Sequence, residues 1–120
     1  MRLSVVIPAL NEERHLAQLL SDIQRQSQRL EEVIVVDAGS RDASVRIAEQ
    51  SPVAVVIHGE PPIARGRNLG GYSATGDLIF FLDADTRLPE TFLEDLPPRS
   101  NADAWTSPAH ATSLMIPRPR

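Results

Sequence analysis

Two carboxylates stand directly after an apolar run in the segment GDLIFFLDADT, residues 76–86. The run from Leu78 to Leu82 is typical of a strand buried in a sheet, and Asp83 and Asp85 follow it at once. Acids two residues apart share a face of an extended chain, and a turn after the strand could bring them together. Their oxygen atoms are hard ligands suited to Mg²⁺ or Mn²⁺, which keep some waters and also bind phosphates. The alternative is an acidic turn without any ligand.

The elements that must position these acids are short strands alternating with helices. Apolar, β-branched runs predict strands over residues 3–7, 33–36, 53–57 and 78–82. The first helix is expected to take Asn11 as its N-terminal cap, with Glu12 and Glu13 in its first turn. The next begins near Asp42, and a third covers residues 63–74. This alternation predicts an α/β fold, a Rossmann-like parallel sheet with helices on both faces.

Polar residues gather at one edge of the predicted sheet. In a parallel sheet the carboxyl ends of the strands share an edge, and ligands bind there. Asn11 and Glu12 follow the first strand, Asp37 follows the second, and Asp83 and Asp85 follow the fourth. Taken singly, Asn11 is most often a helix cap and Asp37 a turn residue. Their common edge favours one shared ligand site.

Composition excludes several classes of protein. The net charge of −4 over 120 residues argues against a general nucleic-acid surface. The absence of Cys excludes disulfides, zinc thiolates and thiol nucleophiles, and the three His are scattered. No apolar run approaches the roughly 20 residues that span a bilayer. The first residues do not form a signal peptide, so a cytoplasmic location is the default expectation.

The chain changes character near residue 97. Residues 97–120 hold five of the ten Pro and no Gly. We therefore divide the chain into a compact part, residues 1–96, and a Pro-rich irregular tail, residues 97–120, either disordered or read from a shifted frame. The fold would then be incomplete at its C-terminus, with an uncovered sheet edge that favours self-association.

Four segments together resemble the family 2 glycosyltransferases, which have the GT-A fold. They are VVIPALNEE (5–13), VIVVDAGSRDAS (33–44), ARGRNLGGYSATGD (64–77) and FFLDADTRLP (81–89). The resemblance extends from Leu3 to about Leu96 and is to the N-terminal, donor-binding part of a compact, soluble bacterial subgroup. It implies an enzyme that moves a sugar from a nucleotide-diphospho-sugar to an acceptor hydroxyl with inversion, using Mg²⁺ or Mn²⁺.

The resemblance also implies a donor site. The residues that it places there are Pro8, Ala9, Asn11, Glu12, Asp37, Arg65, Asn68, Asp83, Ala84 and Asp85. Asp83 and Asp85 would hold the metal, and Asp37 would recognise the nucleotide base. A UDP-sugar is therefore expected as the donor rather than a GDP-sugar. Family members commonly have a second acid where this chain has Ala38, a departure that would loosen or change base recognition.

No general base can be carried over from the family, where it is an acid on a later acceptor-binding segment. The downstream acids here, Glu90, Glu94, Asp95 and Asp103, do not match that position. The catalytic base is thus unknown, and we expect little or no activity from this chain alone. The alternative is a non-catalytic nucleotide-binding or interaction module completed by another chain. A sugar nucleotidyltransferase ranks lower, since that family usually has a Gly-rich, basic phosphate loop after its first strand.

Overall fold

The computed structural model describes residues 2–27, 30, 32–94, 105–106 and 114–117. Within these ranges the strands are β1 (Leu3–Ala9), β2 (Glu32–Asp37), β3 (Ala54–His58), β4 (Leu78–Phe81), β5 (Trp105–Thr106) and β6 (Leu114–Pro117). The helices are α1 (Leu16–Gln24), α2 (Ser44–Gln50) and α3 (Ile63–Ser73). None of these helices is long and apolar enough to cross a membrane.

The strands form one sheet in the order β3-β2-β1-β4-β6-β5. The first four strands are parallel, and β1 lies between β2 and β4, with Val6 beside Ile34 on one side and Phe81 on the other. The expected α/β architecture with a parallel sheet and flanking helices is confirmed.

Alternate residues of the strands face opposite layers, so the sheet has a core on each side. One core joins β1, β2 and β4 to α1, and the rings of Phe80 and Phe92 meet edge-on there, 5.3 Å apart. The other core contains Val6, Val36 and Phe81 and lies on the side that packs against α3.

Small residues let α3 lie close to the sheet. Gly66 and Gly70 are buried four residues apart on one stripe of the helix, and its C-cap residue, Ala74, is buried as well. A Cβ added to Gly70 would lie 2.3 Å from Cγ1 of Val6. Only glycine therefore fits at this position, and the close approach fixes where α3 places its other side chains.

The expectation that Asn11 caps α1 is wrong. The helix begins at Leu16, its N-cap residue is His15, and no side chain bonds to that cap. Glu12 and Glu13 accordingly precede the first turn. Asn11 instead has φ = +54°, a left-handed conformation that Asn tolerates better than most residues. Its side chain is engaged by a neighbouring loop, which is why it is not available to the helix.

Within residues 97–120 the structure describes two strands, β5 and β6, which the expectation of an irregular tail did not include. β6 pairs antiparallel with β4, placing Ile116 beside Ile79, and β5 pairs with β6. The backbone groups along that edge of β4 provide the physical reason, since a strand edge is a template for further pairing. That edge is therefore covered, contrary to expectation, whereas the remaining tail positions lie outside the described residues.

Candidate functional site

The carboxyl ends of the parallel strands bring several of the expected residues to one edge. The register aligns Ala9 of β1 with Asp37 of β2 and His58 of β3 in a single row. Pro8 and Ala9 end β1 and are buried, so they form the base of this edge. Asp83 lies two residues beyond Phe81, the last residue of β4. The expected gathering of polar residues at this edge is thus present.

Two loops at this edge are hydrogen-bonded to each other along their length: the first loop, residues 10–15, and the second loop, residues 38–43. Three consecutive backbone N–H groups of the first loop donate to side chains that follow β2. These bonds are Asn11 N to Ser40 Oγ at 2.9 Å, Glu12 N to Ser44 Oγ at 2.8 Å, and Glu13 N to Asp42 Oδ2 at 3.1 Å. Bonds in the opposite direction run from Arg41 N to Asn11 Oδ1 at 2.9 Å and from Ala43 N to Glu13 Oε2 at 3.1 Å.

These bonds depend on alternation in the sequence SRDAS, residues 40–44, where every second side chain is an acceptor. The Asp42 carboxylate also accepts from the N–H and hydroxyl of Ser44, and the hydroxyl bond is the largest cause that holds the pKa of Asp42 below its usual value. Sequence reasoning placed only the start of a helix in this stretch, near Asp42, and missed these hydrogen bonds. The outcome is a fixed position for Asn11, which is exposed, and Glu12, which is partly buried.

Asp37 is a buried acid with one oxygen already bonded. The residue is 4% exposed, and its Oδ2 accepts from the N–H groups of Gly39 and Ser40, both at 3.0 Å. Gly39 has φ = +98°, which favours glycine and allows the chain to turn around the carboxylate. Oδ1 is also buried and has no hydrogen-bond partner among the described residues. A buried acceptor without a partner costs about 1–3 kcal/mol, so this oxygen is a candidate for a ligand N–H.

The acid loop, residues 83–88, alternates between outward and inward side chains. Ala84, Thr86 and Leu88 are buried, whereas Asp83 is 37% exposed and Asp85 is exposed. Both acids are therefore accessible to a ligand while the loop is held to the core between them. Within the described ranges, no group of three or more Asp, Glu or His forms a complete metal centre. Two accessible carboxylates fit a divalent ion whose other ligands come from a bound molecule and water.

Arg67 is the basic side chain of α3 that meets the acid loop. Its Nη2 lies 3.7 Å from Oδ1 of Asp83, and its guanidinium lies 5.8 Å from the centre of the Phe81 ring. Arg65, expected at the donor site, instead contacts Glu60 at 3.8 Å and is largely exposed, as is Asn68. Sequence reasoning assigned Arg65 and Asn68 to the donor site and did not assign Arg67. The spacing of Gly66 and Gly70, which marks the buried stripe of α3, is the signal that could have distinguished Arg67 from Arg65 and Asn68.

Sequence reasoning missed a polar row formed by Gln18 and Asp22 on α1 and by Gln26, two residues beyond the last residue of α1. Asp22 is only 5% exposed and accepts from Nε of Arg87 at 2.8 Å and from the N–H of Leu88 at 2.9 Å. Burial raises the pKa of Asp22, but these bonds outweigh burial and hold the pKa below its usual value. The signal in the sequence is the spacing of four residues, which places all three side chains on one stripe beside the apolar face.

Comparison with known proteins gives a family. A family model described as "Glycosyl transferase family 2" matches residues 4–104. One relative is the undecaprenyl-phosphate 4-deoxy-4-formamido-L-arabinose transferase of Proteus mirabilis (strain HI4320), 35% identical over 106 residues, which cover 73% of this chain and 30% of the relative. The cholesterol galactosyltransferase of Borreliella burgdorferi is 29% identical over 107 residues, covering 85% of this chain and 30% of that protein. The chain thus spans less than a third of the length of these curated relatives.

Solved structures agree. The crystal structure of S. aureus TarS 1-349 in complex with UDP has a TM-score of 0.71 and 28% identity, covering 79% of this chain and 30% of that one. Glucosyl-3-phosphoglycerate synthase from Mycobacterium tuberculosis, in complex with Mn²⁺, UDP and glucosyl-3-phosphoglycerate, has a TM-score of 0.58 and 29% identity, covering 72% and 35%. The chain therefore has the GT-A fold and belongs to glycosyl transferase family 2.

Proposed function

We propose that this chain binds the nucleotide-diphospho-sugar donor of an inverting, metal-dependent glycosyltransferase at the carboxyl edge of its sheet. A UDP-sugar is favoured over a GDP-sugar as the donor, and the acceptor is a hydroxyl group. Support comes from the family, from neighbours whose structures contain UDP, and from the side chains at this edge. The observation that carries the proposal is the buried Oδ1 of Asp37, which has no partner in the described part of the chain.

The Asp37 oxygen selects among bases by its chemistry. An ionised carboxylate only accepts hydrogen bonds, so it favours a base with a ring N–H and disfavours one with a bare ring nitrogen at that position. Uracil and guanine have such an N–H, whereas cytosine does not. Ala38, buried beside it, adds no polar group to this recognition. Asp37 thus predicts that UDP binds better than CDP, and leaves GDP as the competitor.

Asp83 and Asp85 would hold the divalent ion together with the donor diphosphate, and Ala84 keeps the loop between them against the core. When bound, the ion supplies Lewis-acid stabilisation of the departing diphosphate. Arg67 adds a fixed positive charge beside Asp83, where negative charge would build up as the sugar leaves. Pro8, Ala9, Asn11 and Glu12 form the wall of the edge next to the base. Arg65 and Asn68 remain predicted donor contacts.

The general base for the acceptor hydroxyl is assigned to neither Glu90 nor Glu94. The carbonyl of Glu90 accepts from Ser27 N at 3.0 Å, just beyond the C-terminal end of α1. A crossover helix runs back from the carboxyl edge, so this contact holds Glu90 away from the donor site. The base thus stays unassigned, and we expect transfer by this chain alone to be weak or absent.

The test is calorimetric titration of UDP, GDP and CDP into the full chain, with Mn²⁺ or with a chelator. We expect binding of UDP that requires Mn²⁺ and weak or no binding of CDP. Asp83→Asn and Asp85→Asn should each remove the part of UDP binding that requires Mn²⁺. Asp37→Asn should weaken UDP binding roughly 10- to 150-fold, since a hydrogen bond to a charged group contributes about 1.5–3 kcal/mol. Glu49→Gln, an exposed acid on α2, is the matched control and should change nothing.

Two outcomes separate this proposal from its alternatives. If the parent chain, shown by circular dichroism to be folded, binds UDP equally well with Mn²⁺ and with a chelator, the metal-dependent donor site is excluded. Absence of UDP binding by a chain that circular dichroism shows to be folded would instead favour an interaction module completed by another chain. Self-association through β3, one of the two terminal strands of the described sheet, is checked by sedimentation of the same samples.

A further inference from the structure

The acid loop leaves the sheet and then runs along α1. At its start, Leu82 N donates to the carbonyl of Val6 at 3.0 Å, so β1 holds that end. The loop has no regular secondary structure between Asp83 and Leu88. Its only internal backbone bond given by the structure is from Thr86 N to the Asp83 carbonyl at 3.0 Å. The positions of the two accessible acids therefore depend on how the far end of the loop is held.

Asp22 holds that far end. Its Oδ2 accepts from Arg87 Nε at 2.8 Å and from Leu88 N at 2.9 Å, and its Oδ1 accepts from Arg87 Nη2 at 3.4 Å. Gln18 donates to Oδ1 at 3.2 Å from the preceding turn of the helix. The buried Asp22 carboxylate thus accepts four hydrogen bonds, and Arg87, which donates two of them, is only two residues after Asp85.

Gln26 makes a second attachment one turn later. Its amide donates to the carbonyl of Pro89 at 2.7 Å and accepts from Leu93 N at 3.1 Å. The polar row thus forms hydrogen bonds with backbone groups of residues 88, 89 and 93.

We propose that Asp22, through Arg87 and Leu88, is a positioning residue for the two acids of the donor site, and that this contact sets the affinity for the divalent ion. The inference rests on the proposed function, because it gives Asp83 and Asp85 the metal. It adds that α1 connects the two halves of the site. The first loop at the base side leads into α1, and the polar row of α1 fixes the acid loop at the metal side.

The chain contains a matched pair of arginines for testing this. Arg87 and Arg25 both contact the Asp22 carboxylate, the latter at 3.9 Å, and their side chains are 63% and 57% exposed. Only Arg87 belongs to the acid loop. Comparison of Arg87→Ala with Arg25→Ala therefore separates positioning of the acids from simple neutralisation of Asp22, and the exposure of both residues favours variants that still fold.

The experiment measures Mn²⁺ affinity by electron paramagnetic resonance without nucleotide, and then UDP affinity with Mn²⁺ by calorimetry. Arg87→Ala should weaken Mn²⁺ binding about tenfold, the lower end of the range typical for groups that orient metal ligands, because Gln26 still holds Pro89. Arg25→Ala should stay within about twofold of the parent chain. Arg87→Lys, which keeps the charge but not the two-pronged bond, should fall between them. Equal losses in both alanine variants, or none in either, would overturn the inference.

A separate readout covers the case in which the parent chain binds neither Mn²⁺ nor UDP, which would refute the proposed function. Hydrogen exchange of the backbone amides of residues 85 and 86 then decides the positioning role. Faster exchange in Arg87→Ala but not in Arg25→Ala supports it. Unchanged exchange in both variants contradicts it.

Discussion

The close contact of α3 with the sheet predicts opposite effects for two adjacent glycines. A Cβ at Gly70 would lie 2.3 Å from Val6 Cγ1 and 3.0 Å from Val36 Cγ2, whereas a Cβ at Gly71 would meet only the Phe81 ring, at 3.4 Å. Val6 and Val36 are both fully buried, so neither can move aside. For Gly70→Ala, α3 must therefore shift by about 1.1 Å to restore a 3.4 Å contact. The shift would also displace Arg67 from Asp83.

The magnitudes follow from two opposing terms. Overpacking a core costs about 1–3 kcal/mol, and a contact as short as the one at Gly70 belongs at the upper end. Replacing Gly by Ala inside a helix contributes about 1 kcal/mol in the stabilising direction. We expect Gly70→Ala to lose about 2 kcal/mol of unfolding free energy and Gly71→Ala to gain up to about 1 kcal/mol.

Urea denaturation followed by circular dichroism measures both variants against the parent chain. The difference of about 3 kcal/mol between them corresponds to a separation of about 1–3 M in the urea midpoint. Gly71→Ala is the matched control, because it makes the same chemical change in the same helix. Midpoints that coincide, or a higher midpoint for Gly70→Ala, would show that α3 does not pack on β1 in this way.

Three other predictions concern single contacts. Asp22→Asn should lower the urea midpoint at pH 7, and this loss should shrink below about pH 4. The reason is that a carboxyl whose pKa in the folded state lies below 3.8 stabilises the fold only while it is ionised, so a loss that does not change with pH would contradict the prediction. Ser44→Ala leaves Glu12 N without its acceptor and should cost about 1–3 kcal/mol, whereas exposed Ser73→Ala should cost little in the same assay. Arg67→Gln should tighten Mn²⁺ binding a few-fold, as measured by paramagnetic resonance, because the guanidinium and the ion compete for Asp83. A half-exposed ion pair such as Arg67–Asp83 contributes about 0.2–1 kcal/mol, and unchanged Mn²⁺ affinity would refute the competition.

The parallel strands and the three helices were predictable because their signals are local. An apolar, β-branched run such as Val33 to Val36 indicates a buried strand without reference to any other part of the chain, and β2 covers it. The row at the carboxyl edge follows from topology alone. Asp37 and Asp83 were therefore located in the fold from strand ends, before any contact was known.

The remaining features depend on partners far away in the sequence. Asp22 and Arg87 are 65 residues apart, and neither side chain alone indicates the other. Asn11 has the residue type of a helix cap, but the backbone N–H of Arg41, 30 residues on, takes its side-chain oxygen. The apolar segment Leu114-Met115-Ile116 becomes a strand because β4 offers an edge, a property of the assembled sheet rather than of the segment. In each case the deciding energy is tertiary.

The hydrogen bonds between the first and second loops have a consequence for how phosphate can be bound. In a glycine-rich phosphate loop, free backbone amides after the first strand surround the anion. Here the amides of residues 11, 12 and 13 are already donated to Ser40, Ser44 and Asp42. These three amides are committed to holding the walls together before any ligand arrives, so little ordering entropy remains to be lost on binding. If the chain binds a diphosphate as proposed, these three amides would not neutralise it, and a cation held by the accessible acid pair beside Arg67 would have to do so.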